Sequence, residues 1–172
     1  MLSKTMSERI NLQINREMYS AYLYMAMSAK MTETGYMGIG KWLMVQYHEE
    51  MFHAMKFVKY LQEQGATLTL KAIETPEFHE TSVKDIFKRV YAHEQGVTAS
   101  IREMMDLAVA EKDYATENLL TWYIDEQVEE EKNDTEILQT IELMGENSQA
   151  LYMLNIELGK RSLEAPSDFS AL

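Results

Sequence analysis

A separation of 33 residues occurs twice in this chain between side chains that can hold a metal, and it restricts the fold more than any other feature. Glu17 is followed at that interval by Glu50, and Glu94 by Gln127. Each second member has another donor three places on, giving Glu50-Met51-Phe52-His53 in the first half and Gln127-Val128-Glu129-Glu130 in the second. Residues at i and i+3 are neighbours on one helical face. If each half is a helical hairpin, donors from four helices meet at one level of a bundle, which is how dinuclear carboxylate sites are built.

A chain of 172 residues suits one domain with a real core, because about 70% of the unfolded surface is buried at roughly this size. The expected organisation is a single domain over residues 1–160 and a flexible C-terminal tail over 161–172. Only two Pro and seven Gly interrupt the chain, which favours long helices. The net charge of −12 opposes nucleic acid or an anionic membrane as partner and favours cations. Without cysteine there is no disulfide, iron–sulfur cluster, zinc ribbon or thiol catalysis, and His and carboxylates are the remaining metal ligands. The first ten residues carry no signal-like apolar run, and nowhere do 18 apolar residues follow one another, so a cytoplasmic protein is expected. The 14 Met fall at helical spacing and read as adaptable core filler.

Capping signals divide the chain into helices. Thr5-Met6-Ser7-Glu8 reads as a capping box opening a helix from Met6 to Thr34, stopped by Gly35. A second helix runs from Met37 to Gln64 with Leu43, Glu50 and Phe57 in one register, and Gly65 follows it. Ser82-Val83-Lys84-Asp85 starts a third, whose face Val83, Phe87, Val90, Glu94, Val97, Ile101, Ala108 is apolar except for one carboxylate. Asp113 caps a fourth, continuing through Tyr123, Gln127, Glu130, Ile137 and Ile141 to about Met144. Asn147 or Ser148 caps a short fifth helix with a stripe of Leu151, Leu154 and Leu158.

The stretch from Gly65 to Thr81 has no helical period and is the longest connection. A helix of about 28 residues is roughly 42 Å long, and some 16 extended residues can span about 53 Å. The second and third helices can therefore run parallel, joined by a crossover along the bundle. Glu17 lies 17 residues before the end of its helix and Glu50 lies 13 after the start of the next. Glu94 and Gln127 repeat those offsets in the second half, so all four helices present polar residues at mid-bundle.

Burying several ionised carboxylates together is prohibitive unless cations neutralise them. The apolar registers that carry Glu17, Glu50, Glu94 and Glu130 contain no Lys or Arg, which points to a cation from outside the polypeptide. Carboxylates with one imidazole suit Fe, Mn or Zn, and Fe adds redox use of the site. A lone Glu in such a register would ordinarily be read as a solvated surface residue or a protonated core residue; the repeated spacing is what argues against that here. Tyr24 shares the face of Glu17 and reads first as a core tyrosine bonded to a carboxylate, or else as an electron donor to bound metal. His48 and His93 have no matching partner and read as structural. Glu49, Glu126 and Glu129 adjoin the inner donors and could serve a second, more exposed cation site with Glu130.

The segments Tyr47-His48-Glu49-Glu50-Met51-Phe52-His53, His93-Glu94-Gln95 and Trp122 through Lys132, together with Glu17, closely resemble the helical signatures of the bacterial non-haem ferritins over about Met6 to Lys160. The resemblance implies a ferritin-like four-helix bundle with a long crossover between its second and third helices and a short fifth C-terminal helix. It implies a ferroxidase centre: Glu17, Glu50 and His53 on one iron, Glu50, Glu94 and Glu130 on the other, Glu50 bridging and Gln127 contacting oxygen species or a ligand. It also implies a third iron site at Glu49, Glu126, Glu129 and Glu130, Tyr24 as a redox-active neighbour, and a 24-subunit homo-oligomeric cage that oxidises Fe(II) with dioxygen or peroxide and stores ferric mineral. The Leu151, Leu154, Leu158 stripe would then be an apolar face for subunit contacts at a symmetry axis.

Bacterioferritins repeat Glu-x-x-His in the second half, where this chain has Gln127-x-x-Glu130. Met51 stands where bacterioferritins carry a haem-ligating Met, but the non-haem family is similar there too, and haem is not expected. Rubrerythrins add a cysteine-bound iron module, which this chain cannot build, and mini-ferritins usually lack the fifth helix. Two other classes are compatible with the motif. One is a di-metal oxygenase or peroxidase-like bundle, which needs an apolar pocket beside the metals; the other is a non-enzymatic metal-buffering scaffold.

Overall fold

Ser82 and Asp113 cap their helices as expected: the Ser82 side chain accepts from Asp85 N–H and that of Asp113 from Thr116 N–H. The computed structural model describes residues 2–145 and 147–163. It contains α1 (Lys4–Glu33), α2 (Met37–Glu63), α3 (Val83–Glu111), α4 (Tyr114–Met144) and α5 (Ser148–Leu158), with no strand among the described residues. Asn147 caps α5, accepting from Gln149 and Ala150.

The start of α1 differs from the expected capping box. Ser3 Oγ accepts from Met6 N–H at 3.0 Å, so the helix begins two residues earlier, and Thr5 and Ser7 lie inside it. The earlier serine prevails because its hydroxyl is the one that receives a backbone N–H of the first turn, that of fully buried Met6. At the other end Gly35 takes a left-handed φ of +93°, and Tyr36 N–H returns to Met31 O at 2.9 Å. That backbone closure is what a glycine after a helix permits.

Chain contacts divide the described residues into two compact units, one of residues 10–79 with α5, the other of residues 80–145 with the chain up to Arg9. In the first unit α1 and α2 form a hairpin, tied near its turn by Ser28 Oγ donating to Gly40 O at 2.6 Å. The crossover after α2 then lies along α1. Asn11 clamps it by donating to Thr67 O (3.0 Å) and accepting from Thr69 N–H (2.6 Å), and Asn15 donates to Ala72 O at 3.2 Å. Its anchor points climb α1 in order.

The fifth helix packs on α2 through the expected leucine stripe. Leu154 is buried and Leu151 and Leu158 are half-buried, so this stripe is not the open face anticipated from sequence. The exposed apolar side chains of α5 are Tyr152, Met153 and Ile156 instead. Docking also supplies a cap that α2 lacks locally: Tyr36 gives no side-chain bond, while Asn155 Oδ1 accepts from Gly38 N–H at 2.9 Å and Ile39 N–H at 3.1 Å. A Cβ at position 38 would stand 1.8 Å from Asn155 O, so only glycine allows this approach.

In the second unit α3 and α4 form a hairpin turned by Lys112 at φ 55° and Asp113, whose N–H bonds Ala108 O at 2.9 Å. The apolar face read from sequence, from Val83 through Ala108, is buried, as are Leu120, Tyr123, Ile137 and Ile141 of α4. No described helix is long and apolar enough to cross a membrane.

Candidate metal centre

The middle of the α1–α2 hairpin carries a buried polar cluster in an apolar setting. Glu17 comes from α1 and Glu50 and His53 from successive turns of α2, each 5% exposed or less. One ligand-capable atom from each lies within 4.8 Å of the others, the one set of three metal-capable side chains drawn this close among the described residues. His53 Nδ1 is 3.7 Å from Glu50 Oε2, as their i, i+3 spacing requires.

Electrostatics show what this cluster lacks. Burial first, and then the neighbouring Glu50 carboxylate, push the Glu17 carboxyl up to about 8, against weaker lowering by His53 and by the Gln13 hydrogen bond. Gln13 Nε2 donates to Glu17 Oε1 at 2.8 Å, while Glu17 Oε2 is buried with no hydrogen-bond donor among the described residues. A carboxyl that keeps its proton into the neutral range must lose it before it can ligate a cation. Carboxylate oxygens with one imidazole form a donor set suited to Fe, Mn or Zn.

The α3–α4 hairpin holds a second polar group. Glu94, Gln127 and Glu130 are all buried, with the further buried polar side chains Thr98 and Asp134 one turn on from Glu94 and Glu130. Gln127 Nε2 donates to Glu94 Oε2 at 3.1 Å, to Glu94 main-chain O at 3.3 Å and to Thr98 Oγ1 at 3.2 Å. Thr98 in turn donates to Glu131 Oε1 at 2.6 Å. Beside this chain lies an open pocket of about 220 Å³ lined by Thr98, Ile101, Arg102, Gln127, Val128 and Glu131 among others.

The remaining expected residues fall at varied depths. Tyr24 is fully buried on the α1 face of Glu17. Glu126 is half-buried and Glu129 exposed. Glu49 is largely buried and is ion-paired to Arg161, Nη2 to Oε2 2.7 Å. Arg161 also donates to Gln46 Oε1 and lies over the Trp42 ring, 4.8 Å from its centre. Arg161, the first residue of the expected tail, is thus held by three side chains; residues 164–172 lie outside the described residues. His48 is exposed, and burial with the nearby Arg89 charge pushes the His93 imidazole down to about 4, leaving it neutral.

Several participants escaped the reading of the sequence. Gln13 stands one turn before Glu17 on the same face, and a second buried polar residue there was a usable signal. Thr98 and Glu131 stand four residues beyond Glu94 and Gln127 and repeat their separation of 33. Carrying that interval forward by one turn would have found them. Arg161 had no local signal.

Comparison with known proteins follows this geometry. The family model for the ferritin-like domain matches residues 7–144. A probable bacterial non-haem ferritin-like protein of Haemophilus influenzae is 38% identical, with 96% of this chain and all of that protein covered. The bacterial non-haem ferritin of Campylobacter jejuni is 40% identical over 89% of this chain and 92% of its own length. An open-pore ferritin from the hyperthermophilic archaeon Archaeoglobus fulgidus superposes with a TM-score of 0.92 at 42% identity, covering 94% of this chain and 100% of that one. The expected fold class is thereby established: an all-α four-helix bundle with a long crossover and a short fifth helix.

Proposed function

The chain belongs to the ferritin-like family, among the bacterial non-haem ferritins, and we propose that it stores iron by oxidising Fe(II) to Fe(III) and holding the ferric product inside a homo-oligomeric cage. The observation that carries this reading is the convergence of Glu17, Glu50 and His53, with a Glu17 carboxyl that retains its proton to about 8 until a cation replaces it. In this proposal Glu17, Glu50 and His53 bind one Fe(II) and Glu50, Glu94 and Glu130 bind a second, with Glu50 shared and Gln127 beside them. Each Fe(II) gives one electron to dioxygen or peroxide. Glu49, Glu126 and Glu129 are proposed for further iron, and Tyr24 as a nearby electron donor. Residues 1–160 act as one ferritin-like domain, in a cage of 24 copies in the cytoplasm.

The test is stopped-flow oxidation of Fe(II) by size-fractionated protein, comparing wild type with Glu50→Ala and Glu94→Ala. Rapid oxidation of about two Fe(II) per chain, lost in both variants and followed by mineral in a large particle, is expected. Oxidation no faster than in buffer would leave a passive metal-binding scaffold.

The pocket beside Gln127 bears on one second reading, a di-metal oxygenase, which needs an apolar pocket beside the metals. At about 220 Å³, and with Arg102 and Glu131 in its lining, it is smaller and more charged than an ordinary organic-substrate site. A metal pair that stays bound through many turnovers would support that reading over storage.

A further inference from the structure

We propose that Thr98 and Glu131 are positioning residues that set which end of the Gln127 amide faces Glu94, and so set how Glu94 presents itself to a metal ion; the inference rests on the ferroxidase reading above. Glu94 main-chain O, 3.3 Å from the Gln127 amide, can only accept a hydrogen bond, so the group turned towards it is NH₂. Thr98 has a single proton. At 2.6 Å from Oε1 of Glu131, an acceptor-only carboxylate, that proton is committed, and Thr98 Oγ1 can only accept from Gln127. Donation therefore runs one way, from Gln127 to Thr98 to Glu131, and the amide cannot turn over without setting oxygen against oxygen.

The consequence falls on Glu94. Its Oε2 accepts from the fixed NH₂ at 3.1 Å, which orients the carboxylate before any cation arrives. Glu94 is fully buried, so a disordered carboxylate there would have to be reoriented as metal binds. Groups that orient a ligand in this way commonly change metal affinity by about tenfold or more when removed. Thr98→Val keeps the side chain's shape and removes only the hydroxyl, while Thr98→Ser keeps the hydroxyl.

The experiment is a Co(II) titration of the assembled protein followed by absorbance, paired with the Fe(II) dependence of oxidation by stopped flow. The variants are Thr98→Val, Thr98→Ser, Glu131→Ala, Glu131→Gln and, as control, Glu94→Ala. Thr98→Val and Glu131→Ala are expected to weaken one Co(II) equivalent and raise KM for Fe(II) by about tenfold, with kcat changed less. Thr98→Ser, and Glu131→Gln with its amide oxygen as acceptor, restore both to within about twofold of wild type. Wild-type affinity in both Thr98→Val and Glu131→Ala, or equal losses in Thr98→Val and Thr98→Ser, overturns the inference. If Glu94→Ala loses no Co(II) equivalent and no oxidation, the ferroxidase assignment of Glu94 fails instead, so the two failures are distinguishable.

Discussion

Arg161 donates to Glu49 Oε2 across 2.7 Å while its guanidinium lies 4.8 Å from the centre of the Trp42 ring. The residue follows the end of α5, and its partners are on α2, so the contact closes the C-terminal helix onto the helix that carries Glu50 and His53. Both charged side chains are less than a quarter exposed. Charge-assisted bonds in such partly buried places are stronger than surface ion pairs.

Arg161→Ala should therefore cost about 1–3 kcal/mol at this end of the chain, from lost charge-assisted hydrogen bonds and the bare carboxylate of Glu49. Hydrogen exchange in α5 is expected to accelerate. Trp42 emission should shift as well, measured with Trp122 replaced by Phe. Arg161→Lys should recover only part of the effect, because an ammonium cannot form the fork to Gln46 and Glu49 and stack on the ring together. Unchanged exchange in Arg161→Ala would show that Leu154 packing alone docks the helix.

Glu17 makes the metal-free protein sensitive to pH in a defined direction. Its carboxyl titrates near 4.5 when unfolded and near 8 when folded, so the unfolded chain releases a proton over that interval and the folded chain does not. Its favourable contribution is full below about 4.5 and lost as pH rises towards 8. Glu17→Gln should remove this loss and raise the melting temperature of metal-free protein most at pH 8 and above, where wild-type Glu17 is ionised without a counter-ion.

The same proton governs metal uptake. Below about 8 a divalent cation must displace it, so affinity should fall by up to about tenfold per pH unit and binding should release a proton. Calorimetry of Co(II) binding in buffers of different ionisation heat measures this release directly. A heat independent of the buffer at pH 7 would contradict it.

Asn155→Ala should destabilise the start of α2 by about 1–2 kcal/mol, the usual cost of losing a side-chain cap. Gly38→Ala should be worse, since its methyl would overlap Asn155 O and force α5 off α2. Circular dichroism during urea unfolding, with hydrogen exchange at Gly38 and Ile39, distinguishes the two.

Asn11→Ala removes both hydrogen bonds that hold Thr67 and Thr69 against α1. A loss of about 1–3 kcal/mol is expected, since a typical bond contributes about 0.5–1.5 kcal/mol. Protease cleavage between 66 and 72 should appear in the variant before any helix is cut. Asn15→Ala, which removes longer and exposed bonds, should have a smaller effect.

The helices were legible because their signals are local. Ser82, Asp113, Asn147, Gly35 and Gly65 act on backbone groups within a few residues, and the stripe from Val83 to Ala108 needs only helical geometry to be recognised. The start of α1 differs by two residues because Ser3 and Thr5 both offer a cap, and it is Ser3 Oγ that receives the Met6 N–H. The direction of the leucine stripe on α5 was misread because amphipathicity says that a face is covered, without saying by which neighbour.

The sequence by itself determined the five helices, the long connection and the donors at mid-helix, since spacing along one helix converts directly into position on its face. Only the tertiary structure decided that Glu17 joins Glu50 and His53, that Gln13 supports it, and that Asn155 caps α2 from 116 and 117 residues away. It also decided that Arg161 belongs to Glu49. A hydrogen bond or ion pair depends on distances of about 3 Å, and such distances between remote residues arise only when whole helices have packed.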